Sequence, residues 1–214
     1  MIKRGFDIMT AVVGLLVLSP VLGLVALLVR FCMGPPVLFR QERPGYKERS
    51  FTLLKFRTMK DTGRAGGNIP DQQQRITKLG GMLRRLSLDE LPELWNVLKG
   101  DMSIVGPRPL LMQYLDLYSP RQRRRHEMKP GITGWAQVNG RNAITWEQKF
   151  EYDVWYVDNW SLLLDLKIVM LTIFRVLSGK GVSAEGHATM PEFQGSTPNE
   201  DEKNGTVKSS IKNG

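Results

Sequence analysis

The chain has 214 residues, enough for one domain with a hydrophobic core and appended segments. Its formal net charge is +9, and the positive excess lies in the first 178 residues, which predicts an anionic partner such as acidic lipid, nucleic acid or a phosphorylated small molecule. The single cysteine, Cys32, excludes an internal disulfide and makes no recognisable zinc-ligand spacing with the two histidines, so we expect a reducing, cytoplasmic setting for the globular part.

The first predicted element is an apolar segment, residues 8 to 29, which carries no charged side chain. As one straight helix it would run about 33 Å, enough to cross a hydrocarbon core of about 30 Å. It is too long for a secretory signal peptide, and no small-residue cleavage site follows it. A single-pass anchor and a helix that enters the membrane and returns to the same side remain as alternatives.

Three features favour the re-entrant alternative. Pro20 lies in the middle of the segment and leaves the carbonyl of Leu16 without its usual donor, and Ser19 is placed to bond back to that turn. Each half would reach only about 18 to 20 Å, the depth of one leaflet. Basic residues flank both ends, which favours the cytoplasmic face for both. The flanking residues are Lys3, Arg4, Arg30, Arg40 and Arg43.

The next part of the chain predicts two extended runs and two helices. The extended runs are VLFRQERPG and SFTLLKFRTM, and a turn-rich surface loop over residues 61 to 74 follows them. A helix over residues 76 to 86 precedes a second helix that Gly100 ends. The apolar face of this second helix, which we expect to pack in the core, consists of Leu91, Leu94, Trp95 and Leu98, at i, i+3, i+4 and i+7.

The last part predicts helices and a polar tail. Residues 110 to 129 read as helical around a Ser119-Pro120 restart, and residues 131 to 142 as loop or short strand. A helical pattern runs from 146 to 177, whose final stretch suits a membrane-surface helix or a buried core helix equally. The basic run RQRRRH lacks an accompanying nucleic-acid module, so we expect a solvated face near anionic headgroups and no nucleic-acid partner. From residue 186 the composition predicts a disordered tail that is dispensable for chemistry.

The stretch that carries chemistry is SLDELPELWNVLKGDMSIVGPRP, residues 87 to 109. Ser87 and Glu90 fit a capping box, but Pro92 would then disturb the first full turn of the helix. A helix that starts at Asp89 instead places Pro92 in its first turn, where the missing donor costs little. Asp89 and Glu90 would then lie at an exposed helix start, where a bound metal ion could be shared with a phosphate.

Cations near this carboxylate pair predict a phosphate site. Arg84 and Arg85 precede the pair, and Lys55 and Arg57 lie on the preceding predicted strand. Two prolines enclose Arg108 and restrict its backbone, so that less freedom is lost when its guanidinium clamps a phosphate. Carboxylates, a metal ion and fixed arginines together suit phosphoryl transfer.

The motifs KFRTM, SLDELPELWNVLKGDMSIVGPRP, KPGITGWAQVNGRN and YDVWYVDNWSLLLDLKI follow in order after the Ser19-Pro20 break. With these motifs the chain resembles the bacterial sugar transferases, and more closely the small monotopic phosphoglycosyl transferases. The resemblance implies an α+β, predominantly helical fold with a re-entrant membrane helix over residues 1 to 33. It also implies a compact cytoplasmic catalytic domain over 34 to 185, with short strands and membrane-surface amphipathic helices, while 186 to 214 form the disordered tail.

The resemblance further implies transfer of a sugar 1-phosphate from a UDP-sugar to polyprenyl (undecaprenyl) phosphate, with release of UMP and a requirement for Mg²⁺. Asp89 would be the nucleophile that attacks the β-phosphorus, and Glu90 its acidic partner in metal binding or proton handling. The implied substrate-binding residues are Lys55, Arg84, Arg108 and Asp153, and Arg141 is a lone loop arginine that could contact the nucleotide. The implied location is the bacterial inner membrane, in contact with membrane lipids, with the catalytic domain facing the cytoplasm.

Two alternatives stay open at this point. A non-enzymatic, basic peripheral membrane protein would account for the charge and the apolar segments, but it gives no role to Asp89 and Glu90 beside Arg108. Within the enzyme class, a hexose 1-phosphate competes with an N-acetylated sugar 1-phosphate as the transferred group, because no residue pattern reads the sugar.

Overall fold

The computed structural model describes residues 2–60, 75–140, 144–178 and 192–195. The α-helices in these ranges are α1 (Ile2–Val17), α2 (Ser19–Met33), α3 (Lys78–Arg85), α4 (Glu93–Lys99), α5 (Pro120–Arg123), α6 (Trp135–Asn139), α7 (Trp146–Asp158) and α8 (Leu162–Ser178). The strands are β1 (Leu38–Pro44), β2 (Ser50–Phe56), β3 (Ser103–Val105) and β4 (Gly131–Thr133). This composition agrees with the predicted α+β, predominantly helical class.

Helices α1 and α2 form a pair bent by 63°. Ser19 Oγ donates a 2.8 Å hydrogen bond to the carbonyl of Leu16, so the predicted local compensation at the Pro20 break is confirmed. Among the described helices none is by itself long and apolar enough to cross a membrane, but α1 and α2 pass that test together. The bend between α1 and α2 is therefore a property of the fold.

The bent pair packs on the rest of the chain through small and branched side chains. On α1, Ala11 is fully buried in a core that also contains Leu94 and Val97 of α4. On α2, Val25 and Val29 are buried in a second cluster with residues of β2 and α3. Burial of each of these valine and leucine side chains contributes about 1.5–3 kcal/mol. The pair is therefore an integral part of the fold.

Strands β1 and β2 form an antiparallel hairpin whose register runs from Leu38 opposite Phe56 to Pro44 opposite Ser50. The two predicted extended runs are thereby confirmed. Lys47 and Glu48, in the short 3-10 turn between the strands, both have positive φ. The hairpin projects Lys55, on its second strand, toward α4.

Strands β3 and β4 pair in parallel, and their close approach explains two glycines. A Cβ on Gly106 would come within 2.3 Å of the carbonyl oxygen of Lys129, and one on Gly131 within 2.1 Å of the amide nitrogen of Gly106. Only residues without a side chain fit there. The Gly-Pro-Arg-Pro segment that carries Arg108 is therefore held directly against the start of β4.

Several local predictions were wrong in detail. Residues 112 to 117 and 124 to 127 form 3-10 turns around the short helix α5, whose capping box does begin at Ser119. The stretch predicted as loop or short strand contains both β4 and α6. The long helix predicted over 146 to 177 is divided into α7 and α8, because the chain turns at Asn159.

The basic run at residues 121 to 126 is a solvated face only in part, since the side chains of Arg121 and Arg124 are 59% and 42% exposed. Gln122, Arg125 and His126 are buried, and Arg123 donates to both carboxylate oxygens of Glu48 at 2.9 and 3.1 Å. Each arginine of the run pairs with a carboxylate that is distant in sequence, so no local pattern indicated this packing.

The tail contributes one buried side chain to the fold. Phe193 packs in an aromatic cluster with Tyr114, Tyr118, Trp146 and Phe150. Its backbone amide donates a 3.3 Å hydrogen bond to the hydroxyl of Tyr114. The prediction of a disordered tail does not hold at this residue. The other residues of the predicted tail, apart from 192, 194 and 195, lie outside the described residues.

Helix α8 has one buried face and one exposed apolar face. Asp165 and Ile168 are fully buried on its inner face. Its outer face presents five exposed apolar side chains with helical spacing, namely Leu163, Leu166, Met170, Ile173 and Phe174. Such a face is typical of a helix that lies on a membrane surface.

Candidate active site

The two adjacent carboxylates lie in a tight turn before α4. Ser87 has a left-handed backbone with φ of 55° and makes no capping bond, and residues 88 to 90 form a 3-10 turn. Pro92 is the N-cap of α4, which begins at Glu93. Both predicted helix starts, at Ser87 and at Asp89, are therefore wrong. The reversal at Ser87 and the missing amide of Pro92 delay the α-helix and turn Asp89 inward.

Glu90 is held by two cations. Lys55 Nζ lies 2.8 Å from Glu90 Oε1, and the guanidinium of Arg108 donates to both oxygens of the same carboxylate. Burial opposes ionisation, but the charges of Arg108 and Lys55 prevail and hold the pKa of Glu90 far below its usual range. Glu90 is therefore a carboxylate at any physiological pH.

Asp89 has a different environment, although it is the next residue. It is 7% exposed, and no residue of the described chain donates a hydrogen bond to its carboxylate or forms a salt bridge with it. Burial raises the pKa of Asp89, the charge of Glu90 raises it further, and the charges of Lys55, Arg84 and Arg108 act in the opposite direction. A largely buried carboxylate that accepts no hydrogen bond from the described residues, close to three cations, is chemically suited to attack an anionic phosphorus centre.

Arg84 reaches the site from α3. Its Nε donates a 2.9 Å hydrogen bond to Thr58 Oγ1. Helix α3 lies very close to the backbone of Thr58, since a Cβ on Gly80 would come within 1.9 Å of the carbonyl oxygen of Thr58. Burial lowers the pKa of Arg84, and the nearby charges of Asp89 and Glu90 oppose that lowering.

The other two predicted phosphate contacts from this part of the chain do not join the site. Arg57 is buried and donates to the backbone carbonyls of Met33, Gly34 and Pro35, at the end of α2. Arg85 is exposed in the last turn of α3. Among the described residues, the cations gathered around Asp89 and Glu90 are thus Lys55, Arg84 and Arg108.

Asp153, predicted to bind substrate, lies in a buried ion pair. Its Oδ2 accepts hydrogen bonds from Arg125 Nη2 at 2.7 Å and Nε at 3.0 Å, and both residues are 2% exposed. Arg125 Nη2 also donates a 2.7 Å bond to the backbone carbonyl of Arg108. Asp153 is thereby connected to the site through Arg125 and the backbone of Arg108.

Sequence reasoning missed two acidic or basic groups of this region. Glu93 is 1% exposed, and its Oε1 lies 3.1 Å from Lys55 Nζ. Arg125 stood in a basic run without any local sign that it would be buried. Neither residue has a distinguishing pattern, because the partner of each is distant in sequence. Arg141, the remaining candidate, lies outside the described residues.

The adjacent carboxylates of Asp89 and Glu90 are the candidate ligands of the implied Mg²⁺. Within the described residues no three His, Cys, Asp or Glu side chains form a group that could hold a metal ion. Mg²⁺ in phosphoryl-transfer sites is commonly bound by only one or two carboxylates, with waters and substrate phosphates completing the shell. The adjacent carboxylates of Asp89 and Glu90, both oxygen donors, fit such a site.

The family model described as "Bacterial sugar transferase" matches residues 1–179. The chain belongs to the bacterial sugar transferase family. The resemblance inferred from the motifs is confirmed by this match. Among curated members of the family, the "Uncharacterized sugar transferase EpsL" of Bacillus subtilis (strain 168) is 55% identical over 195 residues, which cover 91% of this chain and 96% of that protein.

Longer family members have named activities. The "UDP-glucose:undecaprenyl-phosphate glucose-1-phosphate transferase" of Escherichia coli (strain K12) is 43% identical over 82% of this chain and 40% of its own length. The "UDP-N-acetylgalactosamine-undecaprenyl-phosphate N-acetylgalactosaminephosphotransferase" of Aeromonas hydrophila is 40% identical over 84% of this chain and 44% of its own length. The chain thus matches less than half of each of these two proteins.

Proposed function

We propose that this sugar transferase moves a sugar 1-phosphate from a UDP-sugar to undecaprenyl phosphate at the bacterial inner membrane, and that it releases UMP. The observation that carries the proposal is the buried Asp89 carboxylate, without hydrogen bonds from the described chain, beside a Glu90 that Lys55 and Arg108 hold ionised. The names of the Escherichia coli and Aeromonas hydrophila relatives support the lipid acceptor and the UDP-linked donor.

The proposed reaction consists of two displacements at one phosphorus. A carboxylate oxygen of Asp89 bonds to the β-phosphorus, and the bond from that phosphorus to the bridging oxygen breaks, so that UMP leaves with the oxygen. A phosphate oxygen of the lipid then bonds to the same phosphorus, and the Asp89 carboxylate leaves. The product is a sugar linked to the lipid through a diphosphate, and Asp89 is regenerated.

The cations make the first displacement possible. A carboxylate and a diphosphate repel each other, and preorganised positive charge offsets the repulsion as negative charge develops in the transition state. Arg108, Lys55 and Arg84 supply that charge. Mg²⁺, held by Asp89 and Glu90 together with the substrate, would neutralise phosphate oxygens when bound. Glu90 also keeps Arg108 and Lys55 oriented before the substrate arrives.

The re-entrant topology is part of the proposal, and contacts at both ends of the bent pair support it. At the start of α1, Lys3 Nζ lies 2.6 Å from Asp165 Oδ2, and Arg4 donates to the carbonyls of Val97 and Leu98 at the end of α4. At the end of α2, Arg57 binds the exit of the helix. Both ends thus contact the same body, whereas a single span would separate them by about 30 Å of hydrocarbon.

The apolar surface supports the membrane assignment. Helices α1 and α2 expose many large apolar side chains, and the outer face of α8 adds five more. Soluble monomers rarely expose such contiguous apolar areas. An active site near the headgroup plane would let a water-soluble donor and a lipid acceptor use one carboxylate in turn.

The assay that tests the proposal measures UMP release from a panel of UDP-sugars with undecaprenyl phosphate and Mg²⁺. We expect release with at least one donor, and loss of turnover when lipid or metal is omitted. The panel contains UDP-glucose and UDP-N-acetylgalactosamine, since relatives act on each. No release with any donor would favour the non-enzymatic membrane protein, for which the arrangement around Asp89 has no role.

A further inference from the structure

Lys55 bridges two carboxylates, and only one of them belongs to the predicted motif pair. Its Nζ lies 2.8 Å from Glu90 Oε1 and 3.1 Å from Glu93 Oε1. The side chain of Glu93 is 2% exposed, whereas those of Lys55 and Glu90 are 19% and 18% exposed. Of the two carboxylates that contact Lys55, Glu93 is therefore the more deeply buried.

A carboxylate at this depth is costly. Burial of a charged group is unfavourable unless it is paired, and an apolar side chain of similar volume is often equally stable or more stable. Burial also raises the pKa of Glu93 to about 7, with a contribution from the charge of Glu90 that the charge of Lys55 opposes. Stability alone does not explain a glutamate at position 93, so we look for its role in the contact with Lys55.

The proposed reaction creates a need for a second anchor. Before substrate binds, Glu90 holds both Lys55 and Arg108. If Glu90 gave an oxygen to a bound Mg²⁺ and Arg108 turned to a phosphate, the hold of Glu90 on Lys55 would weaken. An ammonium group on a flexible four-carbon stem is strongly hydrated and would then move with solvent or substrate. Glu93 is fixed in the first turn of α4, so it can hold Lys55 Nζ without any rearrangement.

We propose that Glu93 is a positioning residue that holds Lys55 Nζ beside Glu90 while Glu90 exchanges partners during the transfer. The inference rests on the proposed function for the meaning of the exchange, and on the contact geometry for the anchoring itself. Glu93 touches neither Asp89 nor, in the proposal, the substrate. Its effect on catalysis passes through Lys55.

The test uses two substitutions at Glu93 and one matched control. Glu93→Gln keeps an oxygen that accepts from Lys55, and Glu93→Leu removes it while filling the space. Glu151→Leu removes an exposed glutamate of α7, whose side chain is 63% exposed and pairs with Arg121. For each full-length protein the measurements are kcat, KM for the UDP-sugar, the thermal unfolding midpoint, and the rate at which an amine-reactive reagent labels Lys55 in the presence of Mg²⁺.

We expect Glu93→Leu to lower kcat about 10- to 100-fold, the size of one lost hydrogen bond to a charged group. KM for the donor should change less than about threefold, because Arg108 and Arg84 remain. The unfolding midpoint should not fall, and Lys55 should be labelled about 10-fold faster than in the wild type. Glu93→Gln should stay within about fivefold of wild-type kcat, and Glu151→Leu should match the wild type.

Two results would overturn the inference. One is a Glu93→Leu protein with wild-type turnover and wild-type labelling of Lys55. The other is loss of activity in step with a lowered unfolding midpoint in both Glu93 variants, which would indicate a purely structural residue. A wild-type protein that releases no UMP would overturn the proposed function instead, and the labelling rates would still decide whether Glu93 anchors Lys55.

Discussion

Asp89 and Glu90 are neighbours in sequence but occupy opposite electrostatic situations. Glu90 is saturated by Lys55 and Arg108, whereas no described residue donates to the Asp89 carboxylate. A carboxylate that donors saturate is a poor nucleophile, and one that is desolvated beside cations is a better one. In the proposed reaction the pair divides the work: Asp89 attacks the phosphorus, and Glu90 organises the positive charge.

Replacement of Asp89 by asparagine tests this division. We expect Asp89→Asn to lower UMP release at least about a thousandfold, because the amide cannot form the covalent intermediate. The thermal unfolding midpoint should stay or rise, since a desolvated charge is removed. Asp158→Asn, at an exposed pair with Arg124, is the control and should keep activity. Near-normal UMP release by Asp89→Asn would remove Asp89 from the nucleophile role.

His126 gives a prediction about stability against pH. Burial, together with the charge of Arg125, lowers its pKa to about 4. Between pH 6.5 and 4 the unfolded chain binds a proton that the folded chain does not, so stability decreases as pH falls through this range. From pH 6.5 to 5 the loss from this residue should be about 2 kcal/mol, and His126→Gln should lack it. Denaturant unfolding at both pH values measures the difference, and equal losses in the two proteins would contradict it.

At the scale of elements, the candidate site lies where several segments of the chain meet, and the rest of the fold holds these segments in place. The hairpin supplies Lys55, α3 supplies Arg84, and the turn before α4 supplies the two carboxylates. The segment with Arg108 is fixed by the glycine contacts at Gly106 and Gly131. Helix α7 secures the same segment through Asp153 and Arg125, whose guanidinium binds the carbonyl of Arg108.

Asp153→Asn tests the connection from α7. It should cost about 3–5 kcal/mol of unfolding free energy, because it leaves the charge of Arg125 buried without its partner. The same change at Asp158, which is 44% exposed, should cost less than about 1 kcal/mol. Denaturant titrations measure both. If Asp153→Asn lowered the unfolding free energy by no more than Asp158→Asn does, the ion pair would not support the Arg108 segment.

Local signals predicted the elements that depend on neighbouring residues. Alternation identified β1 and β2, and the Ser19-Pro20 break with its bond to Leu16 followed from the chemistry of proline. The left-handed Ser87 and the helix start at Glu93 were missed, because capping rules do not anticipate a reversal at a serine. Burial of Arg125 depends on Asp153, 28 residues away, and no local pattern contains that partner.

The same distinction holds for the candidate site. The motifs identified the five charged residues that the fold gathers around one point, namely Lys55, Arg84, Asp89, Glu90 and Arg108. Glu93 was missed, because it stands next to apolar positions of α4 and its partner lies on another strand. Trp95 was predicted in the core but is 51% exposed. The apolar periodicity alone cannot distinguish a core face from one that faces lipid.

At the scale of the whole molecule, the charged start of α1 and the exit of α2 are bound to one body, and the apolar faces of α1, α2 and α8 remain uncovered within the described chain. If the bent pair of α1 and α2 enters the membrane as proposed, the attachment of both its ends to one body would hold the candidate site at a fixed distance from the membrane surface. Such an arrangement would let one site receive both the nucleotide sugar and the lipid of the proposed reaction.

Topology is tested by cysteine labelling in whole cells. Cys32 is exposed, so it is first replaced by serine, and Ile2→Cys then provides the reporter. In the re-entrant arrangement an impermeant maleimide should label residue 2 only after the cells are opened, as it should label Lys47→Cys on the catalytic body. Labelling of Ile2→Cys in intact cells, with Lys47→Cys protected, would indicate a single span.

The most direct test of the account is mass spectrometry of the protein quenched after reaction with donor alone. With the UDP-sugar that supports turnover, Mg²⁺ and no lipid acceptor, we expect a mass increase of one sugar phosphate located at Asp89, and loss of the adduct when undecaprenyl phosphate is added. Complete transfer to lipid, with no adduct at Asp89 at any quench time, would contradict the covalent mechanism.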